Sequence, residues 1–323
     1  MTTSVCMGIY NGEKYIEKQL KSLLHQSKTI DEVILCDDGS HDNTVGKVER
    51  FIQDNDLSGK WKLYCNAENK GYPGNFYYAM SLCTGDIIFL ADQDDIWHID
   101  KVEKMCDVFK GHPETQAVCC KFGLVDANEN KIHTIMQPTV SKGTQKVRNI
   151  TIEDVFYKCE WPGMVMAYRR KWYEQKMAEW SNENHKICEL PIPHDFLVAA
   201  WAAEDNGFLQ LDAELAWHRR HESNVGGEEH RVGRLLNKQR KIREIEKYCS
   251  LLDAFAINNI LFSIKGERAL GDKTCVMHGR HEALKQGKIP EIVKNAWKHK
   301  KYIRVATVVC DIIIAVINGN TKR

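Results

Sequence analysis

Short apolar runs alternate with helically spaced apolar residues along the first hundred positions of the chain. The runs predict buried strands over Ser4–Ile9, Glu32–Cys36, Trp61–Cys65 and Asp86–Ala91. Between the runs, apolar side chains recur at helical spacing, in sets that begin at Tyr15, Val45 and Phe76. Strands and helices that alternate over short connections predict an α/β fold with a mostly parallel, doubly wound sheet.

Polar clusters directly follow three of these predicted strands. They are Tyr10-Asn11 after the first run, Asp37-Asp38 after the second and Asp92–Asp95 after the fourth. In parallel α/β sheets, ligands bind beyond the carboxyl ends of the strands. The sequence therefore predicts a ligand site at this edge of the sheet.

The pattern is less regular further along the chain. Gln116–Phe122 and Gly163–Tyr168 predict strands, and His194–Ala203 predicts a helix. After Gly226-Gly227 the chain is mainly helical and highly charged, with an apolar stripe that starts at Leu235.

Charge also changes at these glycines. The 45 Lys and Arg almost balance the 44 Asp and Glu, which argues against a dedicated nucleic-acid binder. However, residues 1–227 carry 25 basic and 34 acidic side chains, whereas 228–323 carry 20 basic and 10 acidic. We expect one domain over 1–227, with halves at 1–115 and 116–227, and a basic, mainly helical region over 228–323.

Cysteine usage and the chain start indicate a compartment. The 12 cysteines form no C-x-x-C pair and several lie inside apolar runs, which is typical of buried thiols in a reducing cytosol. Met1–Ser4 leads straight into an apolar strand, so we expect no signal peptide. The longest apolar run, Val305–Ile317, is too short to span a membrane and carries Asp311. We expect a cytoplasmic protein.

Asp92-Gln93-Asp94-Asp95 is the strongest chemical signal in the chain. Carboxylates crowded at a strand end repel one another, and Mg²⁺ or Mn²⁺ relieves this repulsion, often with phosphate oxygens as further ligands. The alternative is an acidic surface turn. The position at the carboxyl edge of the sheet favours the metal site.

Other segments carry weaker signals. Asp37 or Asp38 can accept a hydrogen bond from a base or ribose, and the backbone of the Gly-bearing loop Asn69–Asn75 can approach a ligand closely, although ordinary turns explain both. His194-Asp195 opens a helix and offers a general base or an N-cap. His218–Asn224 offers metal and phosphate ligands, or an ordinary surface segment. No P-loop, G-x-G-x-x-G or G-x-S-x-G motif is present.

Taken in order, these segments resemble family 2 glycosyltransferases of the GT-A fold. The matching segments are Gly8–Ile16, Asp37–Thr44, Asn69–Gly71, Phe89–Trp97, Pro162–Met164, His194–Phe196 and Arg219–Val225. They span about residues 1–227, and D-Q-D-D-I-W is the most specific among them. Within the family, the chain is most similar to bacterial rhamnosyltransferase-like enzymes of surface-polysaccharide assembly.

The resemblance implies inverting transfer of a sugar from a nucleotide-diphosphate donor, either dTDP-rhamnose or a UDP-hexose, to a hydroxyl of a surface or capsular glycan. It implies that Asp195 is the base, that Asp94 binds Mn²⁺ or Mg²⁺, and that Asp92 binds the metal or the ribose. His221 would complete the metal shell or contact the diphosphate. His218 stands where the family often has Tyr, and competes with His221 for the metal.

The remaining implied positions divide into a donor side and an acceptor side. The donor side comprises Tyr10, Asn11, Asp37, Asp38, Lys70, Gly71, Asp92 and Arg220. The acceptor side comprises Asp95, Trp97, Trp161, Gly163 and His194. Trp161-Pro162-Gly163 departs from the small-residue turn that is usual in the family, which indicates a different acceptor.

The resemblance also implies partners. These are the nucleotide-sugar donor and a glycan acceptor, free or linked to polyprenyl diphosphate, and no nucleic acid. Lys298, Lys300, Lys301 and Arg304 precede Val305–Ile317, a pattern typical of a helix in a membrane interface. A core helix or a homodimer helix is the alternative. The alternative function for the chain is an inactive nucleotide-sugar-binding scaffold subunit.

Overall fold

Two units make up the computed structural model of the chain. The structure describes residues 1–132, 146–158, 161–181, 190–221, 237–260, 262–300 and 302–319. The first unit comprises Met1–Thr151 and Glu160–Arg220, and the second comprises Ile152–Cys159 and His221–Arg323. The predicted boundary at Gly226-Gly227 lies outside the described residues. Residues Ile152–Cys159, which the sequence placed in the first domain, group with the C-terminal helices.

A mixed β-sheet forms the centre of the first unit. Its described strands are β1 (Thr3–Ile9), β2 (Glu32–Asp37), β3 (Trp61–Cys65), β4 (Ile87–Asp92), β5 (Ile96–Trp97), β6 (Ala117–Val125), β7 (Lys131–Ile132), β8 (Val147–Asn149), β9 (Met166–Arg169) and β10 (Phe208–Arg219). The order is β3-β2-β1-β4-β9-β6-β10-β5, with β7 beside β6 and β8 beside β10. Strands β1 to β4 run parallel, whereas β9 is antiparallel to β4 and β6. The predicted α/β class is confirmed.

Six described helices belong to this unit. They are α1 (Ile16–Leu24), α2 (Thr44–Asp54), α3 (Gly71–Ser81), α4 (Lys101–Gly111), α6 (Arg170–Trp180) and α7 (His194–Glu204). Strand β2 is buried along its whole length, which explains why it reads as a continuous apolar run. Helix α3 begins at Gly71, before the apolar set that starts at Phe76, and Pro73 fits its first helical turn.

The second unit is helical. Its described helices are α5 (Ile152–Lys158), α8 (Lys238–Ile257), α9 (Ile264–Gln286), α10 (Ile289–Lys298) and α11 (Val305–Gly319). Phe156 of α5 packs edge-on against Phe255 and Phe262, with ring centroids 5.8 and 5.7 Å away. Asp311 of α11 is 0% exposed and accepts from Arg280 Nη2 of α9 at 2.9 Å. None of the described helices is long and apolar enough to cross a membrane.

Candidate active site

The carboxyl ends of β1, β2 and β4 bring the predicted polar residues to one edge of the sheet. Gly8 of β1 pairs with Cys36 of β2 and with Asp92 of β4, and Ile9 pairs with Asp37. Asp37 and Asp92 therefore lie on opposite sides of the end of β1. This edge is the place at which parallel α/β sheets bind ligands.

Hydrogen bonds join the loop after β1 to the loop after β2. Asn11 Oδ1 accepts from the His41 N–H at 2.8 Å, and the Asn11 N–H donates to Ser40 Oγ at 2.9 Å. The other bonds between these loops and α2 join Gly12 to Thr44, and Glu13 to Asp42, Asn43 and Lys47. Asn11 thus holds two loops together, with a left-handed φ of 47° that asparagine tolerates.

Gln93, between the aspartates, binds the backbone of Tyr10. Its Oε1 accepts from the Tyr10 N–H and its Nε2 donates to the Tyr10 carbonyl, both at 2.9 Å. A Cβ at Gly12 would meet Gln93 Oε1 at 2.3 Å, so glycine makes room for this contact. The Tyr10 side chain stays exposed. Sequence reasoning missed Gln93, because an uncharged amide among carboxylates carries no chemical signal of its own.

The two carboxylates after β2 have different tasks. Asp37 Oδ2 accepts from the N–H groups of Gly39 and Ser40 at 3.0 and 2.9 Å, and its Oδ1 accepts from the Ser40 hydroxyl. Asp38 Oδ1 accepts from the Lys70 N–H at 2.8 Å, and no described residue donates to its Oδ2. Asp37 therefore closes its own turn, whereas Asp38 fixes the loop before α3 through Oδ1.

The other donor-side residues lie at the ends of their elements. Lys70 is exposed, and its Nζ lies 5.2 Å from the centroid of the Tyr78 ring. Gly71 has a φ of +72°, which residues with a Cβ rarely adopt. Arg220 follows β10, and its Nε is buried without a hydrogen-bond partner among the described residues. His221 begins the C-terminal part of the second unit.

Strand β10 anchors the loop that carries the carboxylates. Asp95 is buried, and its Oδ1 accepts from the Arg219 N–H at 2.9 Å and lies 2.9 Å from His218 Nδ1. The fully buried Arg219 side chain donates from Nε to the Asp94 carbonyl at 2.8 Å. His218 is therefore bound to Asp95 through Nδ1. Asp95 Oδ2 is buried and has no hydrogen-bond partner in the described part of the chain.

Negative charge is concentrated at this loop. Burial raises the pKa of Asp92 well above its ordinary value, and the charges of Asp95, Asp94 and Asp195 raise it further. In the described ranges, no group of three or more His, Cys, Asp or Glu side chains could hold a metal by itself. Mg²⁺ sites usually combine one or two carboxylates with substrate phosphates. Asp92 and Asp94 fit a cation of that kind.

Asp195 lies in the first turn of α7. Asp195 is the second helical residue, and Pro193 occupies the N-cap position. Asp195 is therefore not an N-cap, which was the alternative interpretation of the sequence. Asp195 Oδ2 accepts from the Gly163 N–H at 3.0 Å. A Cβ at Gly163 would lie 3.0 Å from His194 Nε2 and 3.5 Å from Asp195 Cβ. Glycine thus lets the turn Gly163–Val165 approach α7 and hold the carboxylate.

Most residues predicted on the acceptor side form the floor beneath the edge. Trp97 and Trp161 are buried, and His194 is stacked on Phe76 with ring centroids 3.9 Å apart. Burial lowers the pKa of His194 to about 4, so its ring is neutral near pH 7. The exposed Tyr72 ring lies 5.6 Å from His194, and the sequence offered no signal for it beyond its place in a Gly-bearing loop.

Solved structures identify the fold. The crystal structure of S. aureus TarS 1-349 in complex with UDP matches 100% of this chain and 92% of that chain, with a TM-score of 0.60 and 17% identity. This chain therefore has the GT-A fold of glycosyltransferases.

Sequence comparisons then identify the family. Residues 4–175, more than half of the chain, match glycosyl transferase family 2, and the chain belongs to this family. The dTDP-rhamnosyl transferase RfbG of Shigella flexneri is 24% identical over 271 residues, which cover 79% of this chain and 88% of RfbG. The UDP-Glc:alpha-D-GlcNAc-diphosphoundecaprenol beta-1,3-glucosyltransferase WfgD of Escherichia coli is 36% identical over 100 residues, which cover 31% of this chain and 38% of WfgD. The protein is a glycosyltransferase.

Proposed function

We propose that this glycosyltransferase moves a sugar, with inversion, from a nucleotide-diphosphate donor to a hydroxyl of a bacterial surface or capsular glycan. The observation that carries the proposal is the carboxylate of Asp195, which accepts from the Gly163 N–H at 3.0 Å and whose charge helps to raise the pKa of Asp92. dTDP-rhamnose is the first donor candidate, because RfbG matches over most of both chains. A UDP-hexose is the second.

Asp195 acts as the general base in this proposal. An acceptor hydroxyl is a poor nucleophile until a positioned carboxylate takes its proton. The hydroxyl oxygen then attacks the anomeric carbon, the bond from that carbon to the diphosphate oxygen breaks, and the nucleoside diphosphate leaves. Attack from the face opposite the leaving group inverts the anomeric configuration.

The donor lies along the edge formed by β1, β2 and β4. Asp38 Oδ2 accepts from the base or ribose, next to the exposed Tyr10 ring, and Arg220 Nε donates to the diphosphate. Asp92 and Asp94 would hold Mn²⁺ or Mg²⁺, which offsets the charge that develops on the leaving diphosphate. Whether His218 or His221 completes that shell is decided by measuring Mn²⁺ affinity after each single substitution to Ala.

Donor and acceptor are tested together. The full chain is incubated with Mn²⁺ or Mg²⁺, with dTDP-rhamnose, UDP-glucose, UDP-galactose or UDP-N-acetylglucosamine, and with polyprenyl-diphosphate-linked glycans as acceptors. We expect one donor to release its nucleoside diphosphate in step with growth of the acceptor. Donor binding with no transfer to any of these acceptors would instead support the scaffold subunit.

The second unit supports peripheral contact with an anionic membrane. Residues 305, 309, 313, 316 and 317 of α11 form one exposed apolar face, opposite the buried Asp311. Helix α10 adds an exposed stripe of Ile289, Val293 and Trp297, of which Trp297 is 80% exposed. The exposed Lys298 ends α10, and the exposed Lys300 and Arg304 lie between the two helices. Apolar faces beside basic residues bind the interface of anionic bilayers.

Vesicle binding tests this membrane contact. We expect the full chain to co-sediment with vesicles that contain phosphatidylglycerol and not with pure phosphatidylcholine. Replacing Trp297 with Ser should weaken vesicle binding roughly tenfold, because the bilayer then buries one large apolar side chain fewer. Ile257, 76% exposed on α8, gives the matched control Ile257→Ser, which should bind as before. Dimerisation without vesicle binding would favour the homodimer helix instead.

A further inference from the structure

Lys101 is a buried cation beneath the carboxylate loop. It is the first residue of α4, its side chain is 0% exposed, and it forms no ion pair with any carboxylate in the described ranges. Its Nζ lies 3.5 Å from the centroid of the Trp97 ring and donates to the Met164 carbonyl. A buried ammonium without a direct counter-charge is costly. This cost indicates that Lys101 has a role besides packing.

Lys101 interacts electrostatically with two carboxylates of the loop, Asp95 and Asp92. Burial lowers the pKa of Lys101 to about 8, and the neighbouring Cys120, Asp95 and Asp92 act in the opposite direction. Asp95 Oδ2 is buried and has no hydrogen-bond partner among the described residues. The Lys101 ammonium thus partly offsets the charge of Asp92, in a loop that carries three aspartates.

The same ammonium holds the turn that orients the base. Met164 is the middle residue of the turn Gly163–Val165, and its carbonyl accepts from Lys101. The first residue of this turn, Gly163, donates its N–H to Asp195 Oδ2 at 3.0 Å. A Cβ at Gly163 would also lie 3.6 Å from Leu90 Cβ, two residues before Asp92 on the same face of β4. Lys101 thus contacts Trp97, two residues after Asp95, and the turn that orients Asp195.

We propose that Lys101 is a positioning residue that joins the carboxylate loop to the base, and that its positive charge weakens cation binding in the absence of donor. The inference rests on the proposed function of Asp195 and of the Asp92–Asp94 pair. Hydrogen bonding to Met164 and charge toward Asp92 are separate effects, so they are separable by substitution.

Two substitutions separate them. Lys101→Met removes both the charge and the donor, whereas Lys101→Gln removes the charge but keeps an N–H donor. We expect both variants to bind Mn²⁺ about tenfold more tightly than the unaltered chain, because a nearby positive charge has gone. We expect kcat to fall roughly 100-fold in Lys101→Met, because the base is misplaced, and much less in Lys101→Gln. Lys110→Met, an exposed lysine of the same helix, is the matched control.

The readouts are Mn²⁺ affinity by electron paramagnetic resonance, kcat and donor KM by nucleotide release, and stability by urea unfolding. A purely structural lysine would weaken Mn²⁺ binding and transfer together, and that result would overturn the proposal. Equal kcat in Lys101→Met and the unaltered chain would also overturn it. If Lys101→Met does not fold, the Mn²⁺ affinity of Lys101→Gln decides. Absence of transfer in the unaltered chain contradicts the proposed function instead, and leaves the affinity test standing.

Discussion

Two largely covered cations, Lys101 in the first unit and Arg280 in the second, differ in their partners. Arg280 of the second unit donates two hydrogen bonds to the buried Asp311 carboxylate, so the opposite charges of the two side chains compensate each other directly. Lys101 of the first unit meets a carbonyl and an aromatic face. In the same unit, Asp95 Oδ2, both ring nitrogens of His194 and Arg220 Nε are buried without hydrogen-bond partners among the described residues.

The difference distinguishes a charged pair that belongs to the packing of the fold from unsatisfied buried groups near a candidate site. In a buried ion pair with matched hydrogen bonds, each charge is compensated by the other. Removing one partner leaves the other charge buried and unpaired, which destabilises the fold. Buried groups that the protein leaves unsatisfied are expensive, and they cluster where a ligand or a reaction uses them. The carboxyl edge of the sheet has this second character, and the interface between α9 and α11 has the first.

Loss of the base gives the largest expected effect. Asp195→Asn keeps an oxygen that accepts from Gly163 but removes the proton acceptor, so we expect kcat to fall about 10²- to 10⁴-fold. Nucleotide binding, measured by calorimetry, should remain nearly unchanged. Asp205→Asn, at the other end of α7, is the matched control and should keep full activity. Lost donor binding with normal turnover would show that Asp195 serves the donor instead.

Loss of the Arg280–Asp311 pair should give the next largest effect. Asp311→Ala leaves the largely covered Arg280 guanidinium without its carboxylate, and should lower the free energy of unfolding of the second unit by about 3–5 kcal/mol. Urea unfolding measures this loss. The double substitution Arg280→Met with Asp311→Leu removes both charges and should restore most of the stability. If the single and double variants are equally unstable, the pair contributes through shape and not through charge.

The pH dependence of stability tests His194, whose two ring nitrogens are buried without hydrogen-bond partners among the described residues. The pKa of His194 is about 4 in the folded chain against an ordinary 6.5, so the unfolded chain takes up the proton first. Stability therefore falls as pH drops from 6.5 towards 4, by roughly 3 kcal/mol from this residue. His194→Phe should flatten that part of the stability curve. An unchanged curve would mean that His194 is already protonated in the fold.

The smallest effect concerns the donor loop. Asp38→Asn weakens the bond to the Lys70 N–H and leaves the turn closed by Asp37 intact. We expect stability to fall by about 1 kcal/mol and donor KM to rise several-fold with little change in kcat. Steady-state kinetics at several donor concentrations separates the two constants. An altered kcat would place Asp38 nearer to the reaction than the donor side.

The four main strands within residues 1–115 follow closely from the sequence. Trp61–Cys65 is found at its predicted bounds, and β1, β2 and β4 differ from prediction by about one residue at an end. Buried parallel strands read as unbroken apolar runs, so the pattern suffices there. The short strands β5 and β8 escaped prediction, because two or three residues define no period.

The supporting residues of the site were harder to predict. Lys101 shares a helix face with the buried Met105 and Phe109, and a cation on an apolar face was the signal that could have revealed it. Gln93 and Tyr72 gave no such signal. Trp97 and Trp161 are recognisable as part of the site, yet only tertiary packing shows that they lie beneath the edge.

The bonds between the loops after β1 and β2 have a consequence for the speed of binding. Asn11, Gly12 and Glu13 are held by partners within the protein, and these contacts do not depend on a ligand. A donor that arrives at such a preorganised surface loses little loop entropy on binding. Association should then be governed by diffusion and charge, with a rate that depends on ionic strength and solvent viscosity more than on loop rearrangement.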